Sequence, residues 1–221
     1  DKPIKTIIEK DSSDALVFEQ VMMRHEYEYI LDIFRKHNLT CSVMIDAGAN
    51  IGLTSIYFKS FYPDAKVIAL EPSSGTFDRM ETNIKINDLS NTTALKMGLW
   101  GRNTHLKPDH SFRGGLDWSF RLVETDAPQG DAIQVVSMPW LIDHYQLSSI
   151  DFLKIDIEGG ESSVLSEDSE LEWLSKVNVV AVEIHDEFGF RERIESLLQQ
   201  KGFDLSHSEE LTVGVNRRIL G

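Results

Sequence analysis

The sequence predicts an α/β fold: a mostly parallel sheet with helices on both faces. Short apolar runs alternate with stretches of helical periodicity, at the spacing of strand–helix–strand units. The first run, residues 42–45, stops at Asp46 and leads through a glycine-containing loop into a helical stretch over residues 53–61. The last two runs, residues 203–206 and 211–215, are separated by Ser-Glu-Glu and predict an antiparallel hairpin that closes the sheet.

The other elements follow from the same two periodicities. Apolar residues at helical spacing over residues 18–38 predict one amphipathic helix that packs on the main domain. Residues 101–131 are rich in Gly, Pro, Ser and charge and predict an insertion or lid, in which Trp118 is the candidate for stacking on an acceptor. We therefore expect an N-terminal extension over residues 1–40 and one domain over residues 41–221. Strands are predicted at residues 66–70, 92–99, 133–136, 150–155 and 177–184, and helices at 76–87, 139–145, 162–165 and 190–200.

Composition narrows the possible functions. A chain of 221 residues that is 41% hydrophobic suffices for one sizeable core. The net charge of -14 disfavours nucleic acid as the main partner, because protein surfaces that bind nucleic acid carry cations that neutralise phosphates. The single cysteine, Cys41, excludes an intrachain disulfide and a multi-thiolate metal site. No apolar run approaches the roughly 20 residues of a membrane span and no signal pattern opens the chain, so a cytoplasmic location is expected.

The loop after the first strand indicates the kind of ligand. A dinucleotide fold requires Gly-x-Gly-x-x-Gly at this point, whereas this loop has Gly48 and Gly52 with Asn50 between them. Asp46 lies two positions before the first glycine, where a carboxylate repels a pyrophosphate and attracts a cation. S-adenosylmethionine carries a sulfonium and an ammonium and no phosphate. The sign of the charge therefore favours this methyl donor over NAD.

Glu71 ends the second predicted strand, 19 positions after Gly52. A carboxylate there can accept hydrogen bonds from both ribose hydroxyls of an adenosine. The structural alternative is a solvated charge at the end of a strand.

Three blocks of sequence together resemble the FkbM family of S-adenosylmethionine-dependent methyltransferases. They are Met-Ile-Asp-Ala-Gly-Ala-Asn-Ile-Gly at residues 44–52, Glu-Pro at 71–72, and Ile-Asp-Phe-Leu-Lys-Ile-Asp-Ile-Glu-Gly-Gly-Glu at 150–161. The resemblance covers roughly residues 42–185 and departs mildly at Gly160, where the family usually has a small residue such as Ala. It implies a class I Rossmann-like fold with seven strands, and methyl transfer, usually to a hydroxyl oxygen. The implied acceptors are sugars, glycolipids or natural products of polyketide type.

The resemblance also implies roles for individual residues. Asp46 and the loop with Gly48, Asn50 and Gly52 would hold the methionine part of the cofactor, and Glu71 the ribose. Gly98 and Leu99, at the end of the third predicted strand, would face the adenine. Asp156, at the tip of the fourth strand of the domain, would stand beside the transferable methyl group.

Methyl transfer to an alcohol requires a group that removes a proton. Asp156 and His185 are the candidates, because both follow strands expected at the centre of the sheet. His185 has the more suitable ordinary pKa, about 6.5, although it could instead cap a backbone carbonyl. Together with Glu158, Glu161 and Glu183, these two residues could also ligate a divalent ion. The spacing alone does not establish this, so no metal ligand is assigned.

Two other functions stay open at this stage. A nicotinamide-dependent oxidoreductase or epimerase typically has a Tyr-x-x-x-Lys pair and needs a phosphate-compatible glycine loop, and this loop is not found. A methyltransferase-like binding module without activity would keep the same motifs. His25-Glu26 lacks the second histidine of a zinc protease helix, so we expect this pair on the surface.

Overall fold

The computed structural model describes residues 3–109, 121–125, 130, 132–167, 169–185 and 189–220. Its strands are β1 (Val43–Ala47), β2 (Lys66–Leu70), β3 (Thr92–Leu95), β4 (Gly98–Leu99), β5 (Thr104–Asp109), β6 (Arg121–Thr125), β7 (Ile133–Val136), β8 (Ile150–Ile155), β9 (Val177–Glu183), β10 (Phe203–Ser208) and β11 (Leu211–Asn216). Its α-helices are α1 (Asp14–Phe18), α2 (Glu28–Lys36), α3 (Leu53–Phe61), α4 (Ser74–Ile86), α5 (Met138–Tyr145), α6 (Glu161–Val164) and α7 (Arg191–Gln200).

The main sheet has seven strands in the order β10-β11-β9-β8-β1-β2-β3. β11 runs antiparallel to both of its neighbours, and the other pairings are parallel. This confirms the predicted α/β class, the mostly parallel seven-stranded sheet and the closing hairpin. The chain leaves β1 outward through β2 and β3, and returns on the other side of β1 as β8. The strand order therefore reverses between β1 and β8, which is where open α/β sheets bind ligands.

Alternation along the strands divides the core between the two faces of the sheet. In β1, Ile45 and Ala47 join the core on the face of α5 and α7, whereas Met44 joins the core on the face of α2, α3 and α4. On the second face, Phe58 of α3 stacks on Phe152 of β8 with ring centroids 4.5 Å apart. Among the described residues, no helix is long and apolar enough to cross a membrane.

The prediction of one strand over residues 92–99 was wrong. The chain leaves the main sheet after Leu95, and β4 belongs to a second sheet with the order β4-β7-β5-β6. Gly98 and Leu99 therefore do not end the third strand of the main sheet. Their new partner is β7, with Gly98 opposite Val135 and Leu99 opposite Val136.

The second sheet also changes the interpretation of residues 101–131. This stretch is not simply irregular, because β5 and β6 pair antiparallel within it and β5 also pairs with β7. Residues 110–120, which include Trp118, lie outside the described residues, as do 126–129 and 131.

The prediction of a single N-terminal helix over residues 18–38 was also wrong. The structure has α1, a π-helical turn over Glu19–Met23, and then α2 from Glu28. His25 adopts a left-handed backbone conformation (φ 57°) between them, which ends the first helical segment. This break turns Glu26 and Tyr27 inward, and they are 6% and 1% exposed. His25 is exposed as expected, but the expectation of a surface position for Glu26 was wrong.

Candidate functional site

The tips of β1 and β8 meet where the strand order reverses. Ala47 and Ile155 are register partners, and the Asp156 N–H donates to the Ala47 carbonyl at 3.1 Å. Gly48 has φ +75°, and a Cβ there would overlap the carbonyl oxygen of Asp156. Only glycine fits this contact, both for its conformation and for its space. The glycine loop and the Asp156 block, which are far apart in sequence, thus form one site.

The rest of the loop is built from left-handed residues and backbone hydrogen bonds. Asn50 (φ 51°) and Gly52 (φ 85°) turn the chain into α3. The N–H groups of Gly48 and Ala49 both donate to the carbonyl of Leu70, at 3.1 and 2.9 Å. The loop is therefore fixed against the end of β2.

Glu71 lies beside this loop. Its Oε2 accepts from the Asn50 N–H at 3.0 Å, and its Oε1 accepts from the Ser73 N–H at 2.8 Å. Burial raises the pKa of the Glu71 carboxyl, while these backbone hydrogen bonds oppose the shift. Each carboxylate oxygen keeps a lone pair for a further donor, so the group can still receive two hydroxyls.

Asp46 lies below the loop, away from solvent. It is fully buried, and its Oδ2 accepts from the Ser55 hydroxyl at 2.6 Å. Its Oδ1 is 3.7 Å from the amino group of Lys154, which is an ion-pair distance and too long for a hydrogen bond. The structure therefore places Asp46 against the neighbours of the loop, where it can support the loop from beneath.

Lys154 connects the two motifs from inside the sheet. Its buried Nζ donates to the Gly48 carbonyl at 2.7 Å and to Asp156 Oδ2 at 3.0 Å. Burial alone lowers the pKa of Lys154, but Asp156, Tyr27 and Asp46 outweigh it and raise the pKa well above its ordinary value. The side chain is therefore charged, and it positions the Asp156 carboxylate.

His185 follows the end of β9, held between glutamates. Its Nδ1 is 3.0 Å from Oε1 of Glu161, a buried carboxylate that also accepts from the N–H groups of Ile157 and Gly159. Its Nε2 is 3.3 Å from Glu158 and 3.8 Å from Glu183. The hydrogen bond to Glu161 raises the pKa of His185 to about 9 against the opposing effect of burial. At neutral pH the imidazole is thus protonated.

Glu26 and Glu183 add two carboxyls with unusual titration. Burial, helped by the charge of Asp156, raises the pKa of each to about 7. In each case a cation opposes the shift, Lys154 for Glu26 and His185 for Glu183. These two carboxyls therefore share the electrostatic environment of Asp156 at the same edge of the sheet.

One group of side chains here has the proximity that a metal ion requires. The ligand atoms of Asp156, Glu158 and His185 lie within 4.8 Å of one another. His185 Nε2 is already ion-paired with Glu158, and exposed acidic groups often lie this close without an ion. We therefore assign no metal ligand.

Gly98 lies close to the Glu71 side of the crevice despite its unexpected sheet. A Cβ on Gly98 would be 3.9 Å from Pro72 and 3.1 Å from Val135. Leu99 is 2% exposed and packs in the core with Val136. Gly98 is thus placed near the residue that follows Glu71, whereas the Leu99 side chain is part of the core.

Two cavities flank this edge. One, of about 380 Å³, is lined by Leu16, Glu19, Gln20, Arg24, Glu209 and Glu210, between the N-terminal turn and the β10–β11 hairpin. Gln20 also contacts Glu26 at 3.5 Å. The other, of about 740 Å³, is lined by residues 101–103, by Ser137 and residues along α5, and by residues 169–170. The smaller cavity therefore adjoins the carboxyl-rich side of the site.

Sequence reasoning missed the roles of Lys154 and Glu26. A lysine inside a buried strand was a visible signal, because lysine is almost never buried without a partner. No comparable signal marked Glu26, since its burial depends on a helix break that the apolar periodicity did not indicate.

Comparisons with known proteins agree with this architecture. The family model described as methyltransferase FkbM domain matches residues 46–205. Methyltransferase sdnD of Sordaria araneosa is 35% identical over 192 residues, which cover 74% of this chain and 74% of that protein. Methyltransferase 1 of Beauveria bassiana (strain ARSEF 2860) is 28% identical over 180 residues, which cover 73% of this chain and 72% of that protein.

The 31-O-demethyl-FK506 methyltransferase FkbM of Streptomyces tacrolimicus is 24% identical over 188 residues, which cover 73% of this chain and 72% of that protein. The family match spans both the loop that begins at Asp46 and the Asp156 block, the two motifs that the fold brings into contact. The chain belongs to the FkbM methyltransferase family.

Proposed function

We propose that this chain transfers the methyl group of S-adenosylmethionine to a hydroxyl oxygen of a small-molecule, sugar or natural-product acceptor. The observation that carries the proposal is the position of Glu71, a buried carboxylate whose two oxygens are held beside the glycine loop by the Asn50 and Ser73 N–H groups. Such a carboxylate suits the two hydroxyls of a ribose.

The polar groups of the site fit S-adenosylmethionine better than a dinucleotide. The Gly48 and Ala49 N–H groups, which a pyrophosphate would need, are already bonded to the Leu70 carbonyl. Carboxylates of Glu71, Asp156 and Glu183 surround the crevice, and carboxylates attract a cationic donor and repel phosphate. Membership of the FkbM family further disfavours the NAD-dependent alternative.

Bound S-adenosylmethionine supplies an electrophilic methyl carbon. The chain must hold the acceptor in line with that carbon, exclude water and take up the proton of the hydroxyl. We propose that Asp156, oriented by Lys154 at 3.0 Å, faces the methyl group. His185 was the other candidate base, but an imidazole with a pKa of about 9 holds its proton at neutral pH. The raised pKa favours a role for His185 as a fixed positive charge.

The acceptor class rests on relatives and on charge. One relative's name describes methylation of a 31-O-demethyl compound, and this supports oxygen methylation here. The net charge of -14 disfavours nucleic acid as the acceptor. We also propose a cytoplasmic location, in line with the single cysteine.

Isothermal titration with S-adenosylhomocysteine tests the donor. We expect binding to the wild-type chain, weakening of at least about tenfold in Glu71→Ala and in Asp46→Ala, and nearly unchanged affinity in His185→Ala. Absence of binding to folded wild-type protein would overturn the proposal. Binding without methyl transfer to any member of a broad panel of hydroxyl compounds would instead support the inactive binding module.

A divalent ion at Asp156, Glu158 and His185 is not part of the proposal. Titration of the protein with Mn²⁺ alone, followed by electron paramagnetic resonance, checks this. We expect no stoichiometric loss of the free Mn²⁺ signal; a loss that Asp156→Asn abolishes would restore the metal alternative.

A further inference from the structure

One face of α4 holds the N-terminal strap, which we define as residues 3–13. Asn83 and Asn87, one helical turn apart, each pair with the strap backbone through their side-chain amides. Asn87 accepts from the Lys5 N–H at 3.0 Å and donates to the Lys5 carbonyl at 2.7 Å. Asn83 accepts from the Ile7 N–H at 2.6 Å and donates to the Ile7 carbonyl at 3.2 Å. The two amides thus imitate the edge of a β-strand.

Asn83 makes one contact that Asn87 lacks. Its Nδ2 also donates to the carbonyl of Ile51 at 3.0 Å, inside the glycine loop between Asn50 and Gly52. Asn83 is fully buried, and the two hydrogens of its amide nitrogen serve the Ile7 and Ile51 carbonyls. One side chain therefore ties the strap to the loop.

The loop is held from two sides at successive residues. Glu71 accepts from the Asn50 N–H, and Asn83 donates to the Ile51 carbonyl. Gly52, the next residue, approaches Met80 on the same helix so closely that a Cβ would be 3.1 Å from its Cγ. Movement of α4 or of Asn83 would therefore move the part of the loop that Glu71 contacts.

We propose that Asn83 is a positioning residue for the methyl-donor loop, and that docking of the strap through Asn83 is coupled to donor binding. This inference rests on the proposed function. It extends the support of the donor loop to the strap, which lies outside the family match at residues 46–205.

The matched pair Asn83→Ala and Asn87→Ala tests the inference. Both variants lose their strap contacts, but only the first loses the Ile51 contact. Titration with S-adenosylhomocysteine should show about tenfold weaker binding for Asn83→Ala and no more than about a twofold change for Asn87→Ala. Asn83→Asp should behave like Asn83→Ala, because a carboxylate accepts from Ile7 but donates nothing to Ile51.

A second pair avoids the buried side chain in case Asn83 variants fail to fold. Ile7→Pro removes the backbone N–H that donates to Asn83, and Lys5→Pro removes the backbone N–H that donates to Asn87. Both positions are exposed. We expect a several-fold loss of affinity in Ile7→Pro only. Equal affinity in Ile7→Pro, Lys5→Pro and wild type would overturn the coupling, and so would wild-type affinity in a folded Asn83→Ala.

Amide hydrogen exchange in ligand-free protein separates this inference from the proposed function. Asn83→Ala should speed exchange in both the strap and residues 48–53, and Asn87→Ala in the strap alone. If wild type binds no S-adenosylhomocysteine, the proposed function fails, but this exchange pattern still decides whether Asn83 holds the loop. Unchanged exchange at residues 48–53 in Asn83→Ala would overturn the inference that Asn83 holds the loop.

Discussion

Burial raises the pKa of the Glu26 carboxyl to about 7, above its ordinary 4.5. The folded state therefore holds this proton more tightly than the unfolded chain, and stability falls as pH rises from about 4.5 to 7. At about 1.4 kcal/mol per pKa unit, discounted for solvent screening, we expect Glu26→Gln to raise the free energy of unfolding at pH 8 by roughly 2 kcal/mol. At pH 4.5 the gain should vanish.

Urea denaturation at both pH values measures this effect. Glu81→Gln, which removes an exposed carboxylate on α4, controls for the change in net charge. A gain of the same size at pH 4.5 and pH 8, or an equal gain in the control, would show that the Glu26 charge is not the cause.

The titration of His185 depends on one buried partner. Glu161, 3% exposed, contacts Nδ1, and Glu158, 87% exposed, contacts Nε2. Because the folded pKa of about 9 exceeds the ordinary 6.5, the imidazolium stabilises the fold below pH 6.5 and loses this effect as pH rises to 9. Glu161→Gln should lower the pKa of His185 by more than about one unit, and Glu158→Gln by much less.

Nuclear magnetic resonance of the imidazole Cε1–H across pH 5–10 gives this pKa directly. A wild-type value near 6.5 would contradict the assignment of a fixed charge and restore His185 as a base. A larger shift in Glu158→Gln than in Glu161→Gln would contradict the role of the buried carboxylate.

At the scale of elements, the contact between the glycine loop and the end of β8 predicts a strong effect of one methyl group. Gly48 and Gly202 both have positive φ, but a Cβ would overlap the Asp156 carbonyl at Gly48 and meet nothing within 4 Å at Gly202. Gly202→Ala should cost only the backbone strain, about 1–2 kcal/mol. Gly48→Ala should add overpacking and cost about 3 kcal/mol or more.

Thermal denaturation and titration with S-adenosylhomocysteine compare the two variants. We expect donor affinity to be lost only in Gly48→Ala, since the displaced Asp156 carbonyl lies at the junction of the two motifs. Equal destabilisation of both proteins would mean that the overlap is relieved at no cost by a shift of the loop.

Local periodicity predicted the elements of the main sheet well, because strands and helices bury residues at periods of 2 and 3.6. Residues 66–70 and 150–155 of the main sheet were predicted with the observed bounds, and so were residues 133–136, which form β7 of the second sheet. Periodicity does not say which sheet a strand joins, since pairing is set by contacts distant in sequence. For this reason β3 and β4 were merged, and Gly98 and Leu99 were placed in the wrong sheet.

Sequence alone can locate the parts of the candidate site that have a local cause, such as the glycine loop with Gly48 and the strand end at Glu71. The roles of these two residues in donor binding stay predictions. Glu26 and Asn83 could not be found in this way, because their burial depends on how the N-terminal segment packs on α3 and α4.

At the scale of the whole molecule, charge accumulates at one edge of the sheet. Among the described residues, this edge carries the carboxylates of Glu26, Asp156, Glu158, Glu161 and Glu183 against the cations of Lys154 and His185. The net charge of the chain, -14, has the same sign. The combined field should favour a cationic ligand over a neutral one of the same shape.

Comparing the proposed donor with its demethylated product makes this field measurable. S-adenosylmethionine carries a sulfonium charge that S-adenosylhomocysteine lacks, so the second compound is the matched control for the first. Raising the salt concentration from 0.1 to 1 M shortens the screening length from about 10 to 3 Å. At pH 8 we expect this change to weaken binding of S-adenosylmethionine about two- to fivefold more than binding of S-adenosylhomocysteine.

Glu183→Gln should shrink the difference, because it removes one carboxylate beside Asp156 and leaves Glu71 and the loop intact. The same salt dependence for both ligands would mean that the acidic edge does not act on the sulfonium, and the carboxylates would then have to serve the acceptor instead.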